Sequence, residues 1–259
     1  MLPVKMKKDL KDGHVVIGPS IAELYTPVLA RLFGRVGFDW LHIELEHVLM
    51  DEEQLYNFIA AGDSAGIPSI VKLPELSRNF VCRSLDGGAA GVRLTWVETR
   101  QEMEKLVAWA KYPPDGIRPF WNGANTEYHN KPFTEYAPIA NANTIVMAHV
   151  ETRKGIENID EICKVKNVDV AIIGPSDLSI SLGVPDRTDD PRFLEAAKSL
   201  VRACESNKVV PGMSCSTVED AKKWISRGFR CLDLSSEWEM LHSKASDELK
   251  ELRKVLGYT

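Results

Sequence analysis

Four ionisable side chains fall within the single stretch FDWLHIELEHV: His42, Glu44, Glu46 and His47. The residues around them read as a buried strand. Alternate side chains of a strand point to opposite faces, so Leu41, Ile43 and Leu45 share one face while His42, Glu44 and Glu46 share the other. Comparable residues recur near other strand ends: Lys72 in SIVKLP, Arg93 in AGVRLTW, His149 and Glu151 in TIVMAHVE, and Asp177 just after VDVAIIGP. Carboxylates, cations and histidines in this combination are the parts from which proton transfer and cation binding are built. Glu44, Glu46, Glu151 and Asp177 exceed Lys72 and Arg93 by two charges. Burying unpaired carboxylates is costly, and a divalent cation would balance them. Two carboxylates completed by water and substrate oxygens suit Mg or Mn, whereas zinc would more often bring further His or Cys ligands.

Each residue also has a plainer reading. Glu151 and Asp177 stand where carboxylates commonly cap the next helix. His47 alone reads as a hydrogen-bonded structural histidine, Lys72 and Arg93 as counter-charges, and Trp40, Trp96 and Trp109 as packing residues. Only convergence in one place favours the chemical reading, so the elements that carry these residues decide the matter.

Strand-length apolar runs alternate with amphipathic helical stretches. HVVIGPS (14–20), WLHIELE (40–46), SIVKLP (69–74), AGVRLTW (90–96), TIVMAHVE (144–151), VDVAIIGP (168–175), VVPGMSC (209–215) and FRCLDLSS (229–236) are each followed by a helical pattern, the first by ELYTPVLARLF. Eight such units without a Gly/Ser linker or composition break predict an α/β fold, one (β/α)8 barrel over residues 1–259. In such a barrel chemistry collects where strands end, which is where the ionisable residues fall. GPSDLS opens a helix there whose N–H groups could receive a carboxylate. No GxGxxG follows the first strand and no GxxxxGK[ST] occurs. Residues 112–143 read as one long irregular segment that packs over the rim or meets another subunit.

With 44% hydrophobic and 27% charged residues, the 259-residue chain reads as a globular protein. A net charge of −5 argues against a nucleic-acid partner, and KMKK at positions 5–8 is too short to reverse this. No apolar run is long enough to span a membrane, and a cytoplasmic location is expected. Cys82, Cys163, Cys204, Cys215 and Cys231 lack CxxC spacing and read as reduced structural thiols.

GFDWLHIELEH, KYPPDGIRP, HVETRKGIENIDEI and DVAIIGPSDLSISLG resemble, in order over nearly the whole chain, the HpcH/HpaI aldolase family. The resemblance implies a barrel of the phosphoenolpyruvate/pyruvate type. It also implies a homo-oligomer, commonly a hexamer with an exchanged C-terminal helix, and a divalent metal (Mg, Mn or Co) that holds a 2-oxo acid. The implied reaction is reversible cleavage of a 4-hydroxy-2-oxo acid into pyruvate and an aldehyde. By position, Glu151 and Asp177 are the implied metal ligands and His47 the general acid/base. Gly174 and Ser176 form the turn that holds the substrate carboxylate.

Three changes depart from the family pattern, one of them spanning two residues. Glu44 and Leu45 stand where the family has Asp-Gly before Glu-His, so Glu44 offers a longer arm to orient His47. Lys72 replaces an arginine that contacts the keto oxygen, and His149 replaces a substrate-side glutamine. Lysine keeps the charge but loses the planar fork; Arg93 on the neighbouring strand is expected to supply the missing guanidinium. The alternatives are an oxaloacetate decarboxylase or thioester lyase of the same superfamily, and a non-catalytic keto-acid-binding protein.

Overall fold

The computed structural model describes residues 5–257. A short helix α1 (Lys5–Lys11) precedes β1 (Val16–Ile21), α2 (Pro27–Val36), β2 (Leu41–Glu44), α3 (Glu52–Ser64), β3 (Ser69–Leu73), α4 (Arg78–Asp86), β4 (Gly91–Leu94) and α5 (Arg100–Ala110). After a one-turn 3-10 segment (Ala124–Thr126) come α6 (Phe133–Asn143), β5 (Ile145–Val150), α7 (Arg153–Glu157), α8 (Ile159–Cys163) and β6 (Val170–Ile173). The chain finishes with α9 (Pro175–Ser181), α10 (Pro191–Asn207), β7 (Val210–Cys215), α11 (Val218–Ile225), β8 (Cys231–Ser236) and α12 (Glu237–Val255). The eight strands pair in parallel, in chain order, and β8 closes on β1. This is the predicted (β/α)8 barrel.

Strand alternation divides the core into two layers. Outward residues such as Leu41, Ile43, Val71, Leu73, Val92 and Ala148 pack under the helices. Inward residues differ along the barrel axis. Near the strand starts, Trp40, Ile70, Ile145, Met147 and Val170 fill the interior with Met6 and Leu10 of α1. Near the strand ends the inward positions are His42, Glu44, Lys72, Arg93 and His149, all buried. Gly18 on β1 makes room for this filling, since a Cβ there would lie 2.8 Å from the Trp40 ring. The apolar plug excludes water from below, so the polar layer is open to solvent only from the carboxyl-terminal rim.

Several helices begin as their sequences dictate. Asp51 with Gln54, Thr99 with Glu102 and Ser236 with Glu239 form reciprocal capping boxes for α3, α5 and α12. The first helix after β1 starts later than its pattern predicts, at Pro27 and not Glu23. The Glu237 carboxylate takes the N–H groups of Ala22, Glu23 and Leu24 at 2.9, 2.5 and 2.7 Å, which holds this stretch as a loop. Residues 112–143 are less irregular than expected, because α6 forms despite an internal Pro138. The segment lies along α3 and α4: Arg118 pairs with Asp86 at 2.5 Å, and the Tyr56 and Tyr128 hydroxyls touch. Tyr112, Phe120, Phe133 and Tyr136 form its own small core. Trp121 and Tyr128 reach a cavity of about 500 Å³ shared with Leu45, Met50 and Phe80.

All five cysteines are free and buried, and burial raises the thiols of Cys82, Cys204, Cys215 and Cys231 away from reactivity. Among the described residues no helix is long and apolar enough to cross a membrane.

Candidate active site

Parallel register sets Glu44, Lys72 and Arg93 side by side on β2, β3 and β4. Lys72 Nζ sits 2.9 Å from Glu44 Oε2 and 2.7 Å from Glu46 Oε2, so one cation is clamped by two carboxylates. The other oxygen of Glu44 accepts the N–H groups of Glu46 and His47, at 2.6 and 3.4 Å, and thereby shapes the loop that carries the histidine. Burial pushes the Glu44 carboxyl up, but His42, Lys72 and the Glu46 N–H together more than offset it and hold the group below its ordinary value. His47 stands at the lip with a 64% exposed side chain and its Nε2 3.4 Å from Glu46 Oε2.

Glu151, just beyond β5, is almost fully buried. Its Oε1 accepts from the Thr95 hydroxyl at 2.8 Å and from the Trp96 N–H at 2.9 Å. Trp96 itself has a left-handed backbone (φ 53°), an uncommon state for a bulky residue that is found where surrounding structure enforces it. The indole, expected in the packing, is instead 52% exposed. The Thr95 hydroxyl also lies 2.7 Å from Glu46 Oε2. A hydroxyl has one proton, so it can donate to only one of the two carboxylates. Burial raises the Glu151 carboxyl pKa, with Lys72 and the two donors only partly opposing.

Gly174, the residue before α9, faces this pair directly. A Cβ there would fall 2.7 Å from Glu151 Oε2 and 2.4 Å from His149 Nε2, so only glycine leaves the space in front of both groups open. Asp177 lies one turn into α9, half-buried, with no hydrogen bond or ion pair among the described residues. Ser176 is exposed beside it. Pro175 lacks an N–H, which leaves Ser176 and Asp177 as the donors at that end of the helix.

Arg93 is placed differently from expectation. Its guanidinium is fully enclosed and does not open toward the rim: Nη1 meets Asp233 Oδ2 at 2.6 Å and Nη2 meets His149 Nε2 at 3.0 Å. Asp233 Oδ2 also accepts from Ser214 at 2.7 Å and lies 3.5 Å from His42 Nδ1. Burial raises the Asp233 carboxyl, but Arg93 beside it outweighs this and holds it far below the usual range. Burial, reinforced by Arg93, keeps His149 neutral, and burial likewise lowers His42. Asp233, Ser214 and Thr95 were missed from the sequence. Asp233 was marked only by being an inward polar position in FRCLDLSS, alternating with Leu232 and Leu234.

Acid–base residues gathered at the carboxyl-terminal rim of a closed parallel barrel define a barrel enzyme. The chain belongs to the HpcH/HpaI aldolase/citrate lyase family, whose model matches residues 22–243. It is 34% identical over 205 residues to a hydroxypyruvate/pyruvate aldolase from Roseobacter denitrificans, covering 78% of this chain and 79% of the relative. It is 27% identical over 257 residues to a 5-keto-4-deoxy-D-glucarate aldolase from Shigella sonnei, covering 97% and 98%. The crystal structure of an HpcH/HpaI aldolase from Desulfitobacterium hafniense DCB-2 superposes with a TM-score of 0.93 at 29% identity, over 98% of both chains. The protein is therefore an enzyme of the aldolase/lyase class.

Proposed function

We propose that the enzyme catalyses reversible aldol cleavage of a 4-hydroxy-2-oxo acid to pyruvate or a related 2-oxo acid and an aldehyde, with a divalent cation at Glu151 and Asp177. The observation that carries this reading is the state of Glu151. One oxygen accepts from the Trp96 N–H and shares the Thr95 hydroxyl with Glu46, while the other, beside Gly174, lacks a close donor among the described residues. Five carboxylates (Glu44, Glu46, Glu151, Asp177, Asp233) accompany only Lys72 and Arg93 in this region, a larger anionic surplus than the sequence count, so the donor set fits a hard dication. Among the described residues no group of three His, Cys, Asp or Glu side chains is arranged to hold a metal ion, so on this reading water and substrate oxygens would complete the coordination. When bound, the cation supplies Lewis acidity toward the 2-oxo and carboxylate oxygens.

The chain's own residues do the rest. His47 Nε2 faces Glu46 Oε2 at 3.4 Å, which favours the proton on Nε2 and leaves Nδ1 as the base: it takes the 4-hydroxyl proton as the C3–C4 bond breaks to aldehyde and enolate, a solvent proton then completes the 2-oxo acid at C3, and the reverse direction retraces these steps. Lys72 adds positive charge where the enolate develops, and its two carboxylates fix its position. The Ser176 N–H and the open face of Gly174 receive the substrate carboxylate. The named relatives make pyruvate and hydroxypyruvate the first nucleophiles to try. Oxaloacetate decarboxylation passes through the same kind of enolate and is the second activity this site accommodates.

Assembly as a homo-oligomer, a hexamer by resemblance, is part of the proposal. Trp238, Leu241 and Leu252 of α12 and Val28 and Leu32 of the neighbouring α2 are exposed, a pattern that suits exchange of the last helix between copies. Light scattering checks it. The reaction is tested by stripping the protein with a chelator, refilling with Mg, Mn or Co, and assaying pyruvate–aldehyde condensation and oxaloacetate decarboxylation. Cation-dependent turnover in the first assay supports the aldolase reading, and turnover in the second alone replaces it with the decarboxylase.

A further inference from the structure

We propose that Arg93, anchored by Asp233, is a positioning residue that fixes His149 in the Nδ1–H tautomer and thereby keeps Glu151 Oε2 free for the cation. This rests on the reading of Glu151 as a cation ligand. A guanidinium carries donors only. At 3.0 Å from Arg93 Nη2, His149 Nε2 must therefore accept, and a nitrogen that accepts carries no proton. The same Nε2 lies 3.4 Å from Glu151 Oε2, close enough to donate to it if it were protonated. Glu151 Oε1 is already engaged by the Trp96 N–H and the shared Thr95 hydroxyl. A donor from His149 would close the remaining oxygen, and Arg93 prevents this.

The surrounding atoms agree with the assignment. Turning the imidazole over would put a carbon against the guanidinium and leave Nη2 without its histidine partner. His149 Nδ1 is unpartnered among the described residues in either tautomer, so it does not decide between them. The guanidinium cannot easily swing away. Asp233 Oδ2 holds Nη1 at 2.6 Å, Ser214 pins that same oxygen at 2.7 Å, and His42 Nδ1 lies 3.5 Å from the same Nη1. The residue opposite the ring is Gly174, which has no side chain to compete for Nε2. Five strands, β2, β4, β5, β7 and β8, thus contribute to keeping one carboxylate oxygen open.

The test begins on the metal-free wild type. Two-bond proton–nitrogen NMR correlations of histidine-labelled protein read the tautomer, with His149 assigned from its loss in His149→Gln. The Nδ1–H form is expected; the Nε2–H form overturns the proposal without any further variant. Arg93→Met is then combined with Asp233→Asn, so that no buried carboxylate is stranded. Calorimetric titration with Mn²⁺ should show binding weakened by about tenfold, in the range typical of groups that support metal ligands. In a His149→Leu background the same pair of changes should have no further effect; an equal loss with or without His149 overturns the proposal. Should the paired variant not fold, Arg93→Lys, which keeps a charged donor, must retain the Nδ1–H tautomer. An Nδ1–H wild type that binds no Mn²⁺ sinks the cation reading itself, and the proposal with it. An Nε2–H wild type that binds Mn²⁺ sinks only the role of Arg93.

Discussion

Lys72 and Arg93 lie opposite one another on adjacent strands, yet their surroundings differ in depth and in charge. Lys72 has two carboxylate partners, one of them 22% exposed at the rim. Arg93 has one, sealed inside the barrel together with Ser214, His42 and His149. The first cluster keeps an anionic surplus and access to solvent, so it can engage a substrate. The second is neutral as a unit and can only hold its neighbours. A buried cation is therefore identified as a working group by the charge left over around it, more than by its residue type.

The variant with the largest expected effect removes the carboxylate that both clusters frame. Glu151→Gln should lower kcat/KM for aldol cleavage by at least about 10³-fold, and near-normal steady-state turnover would remove Glu151 from the site. The same variant should raise the thermal midpoint of the cation-free protein, because it deletes a buried charge with an elevated pKa.

Arg93→Met alone strands Asp233 and should cost about 3–5 kcal/mol of stability in chemical denaturation. Lys72→Met should cost less stability, since Glu46 can reach water, while lowering kcat/KM by about 10²-fold. Equal stability losses from the two variants would break the contrast drawn from depth.

A third buried cation at the opposite end of the barrel sharpens it. Lys111 donates to the Asn141 and Thr144 carbonyls, and burial, aided by nearby Lys7, lowers its pKa from 10.5 to about 7. Above pH about 7 the unfolded chain holds this proton more firmly than the folded one, so the contribution of Lys111 to stability rises with pH up to its unfolded pKa. Denaturation at pH about 7 and about 9 should show that gain in the wild type and less of it in Lys111→Met.

Much of this was legible in the sequence. Period-two alternation placed Leu41, Ile43, His42 and Glu44 on their correct faces, and strand-length apolar runs located every strand within about two residues. The partners across the barrel were not legible, because which residues of β4 and β8 meet depends on strand tilt and closure. That is why Arg93 was expected at the rim and Asp233 was overlooked. Trp96 escaped for another reason: its left-handed backbone is imposed by its contacts, and nothing in the residue type announces it. The helix α6 was hidden by Pro138 and its asparagines, which read as breakers although the chain tolerates them there.

Glu237 joins two distant parts of the chain. Its carboxylate is the anchorage for the loop leaving β1, and it is also the first residue of the chain's last helix. One side chain thereby ties the barrel's rim after β1 to the root of α12, some two hundred residues later in the chain.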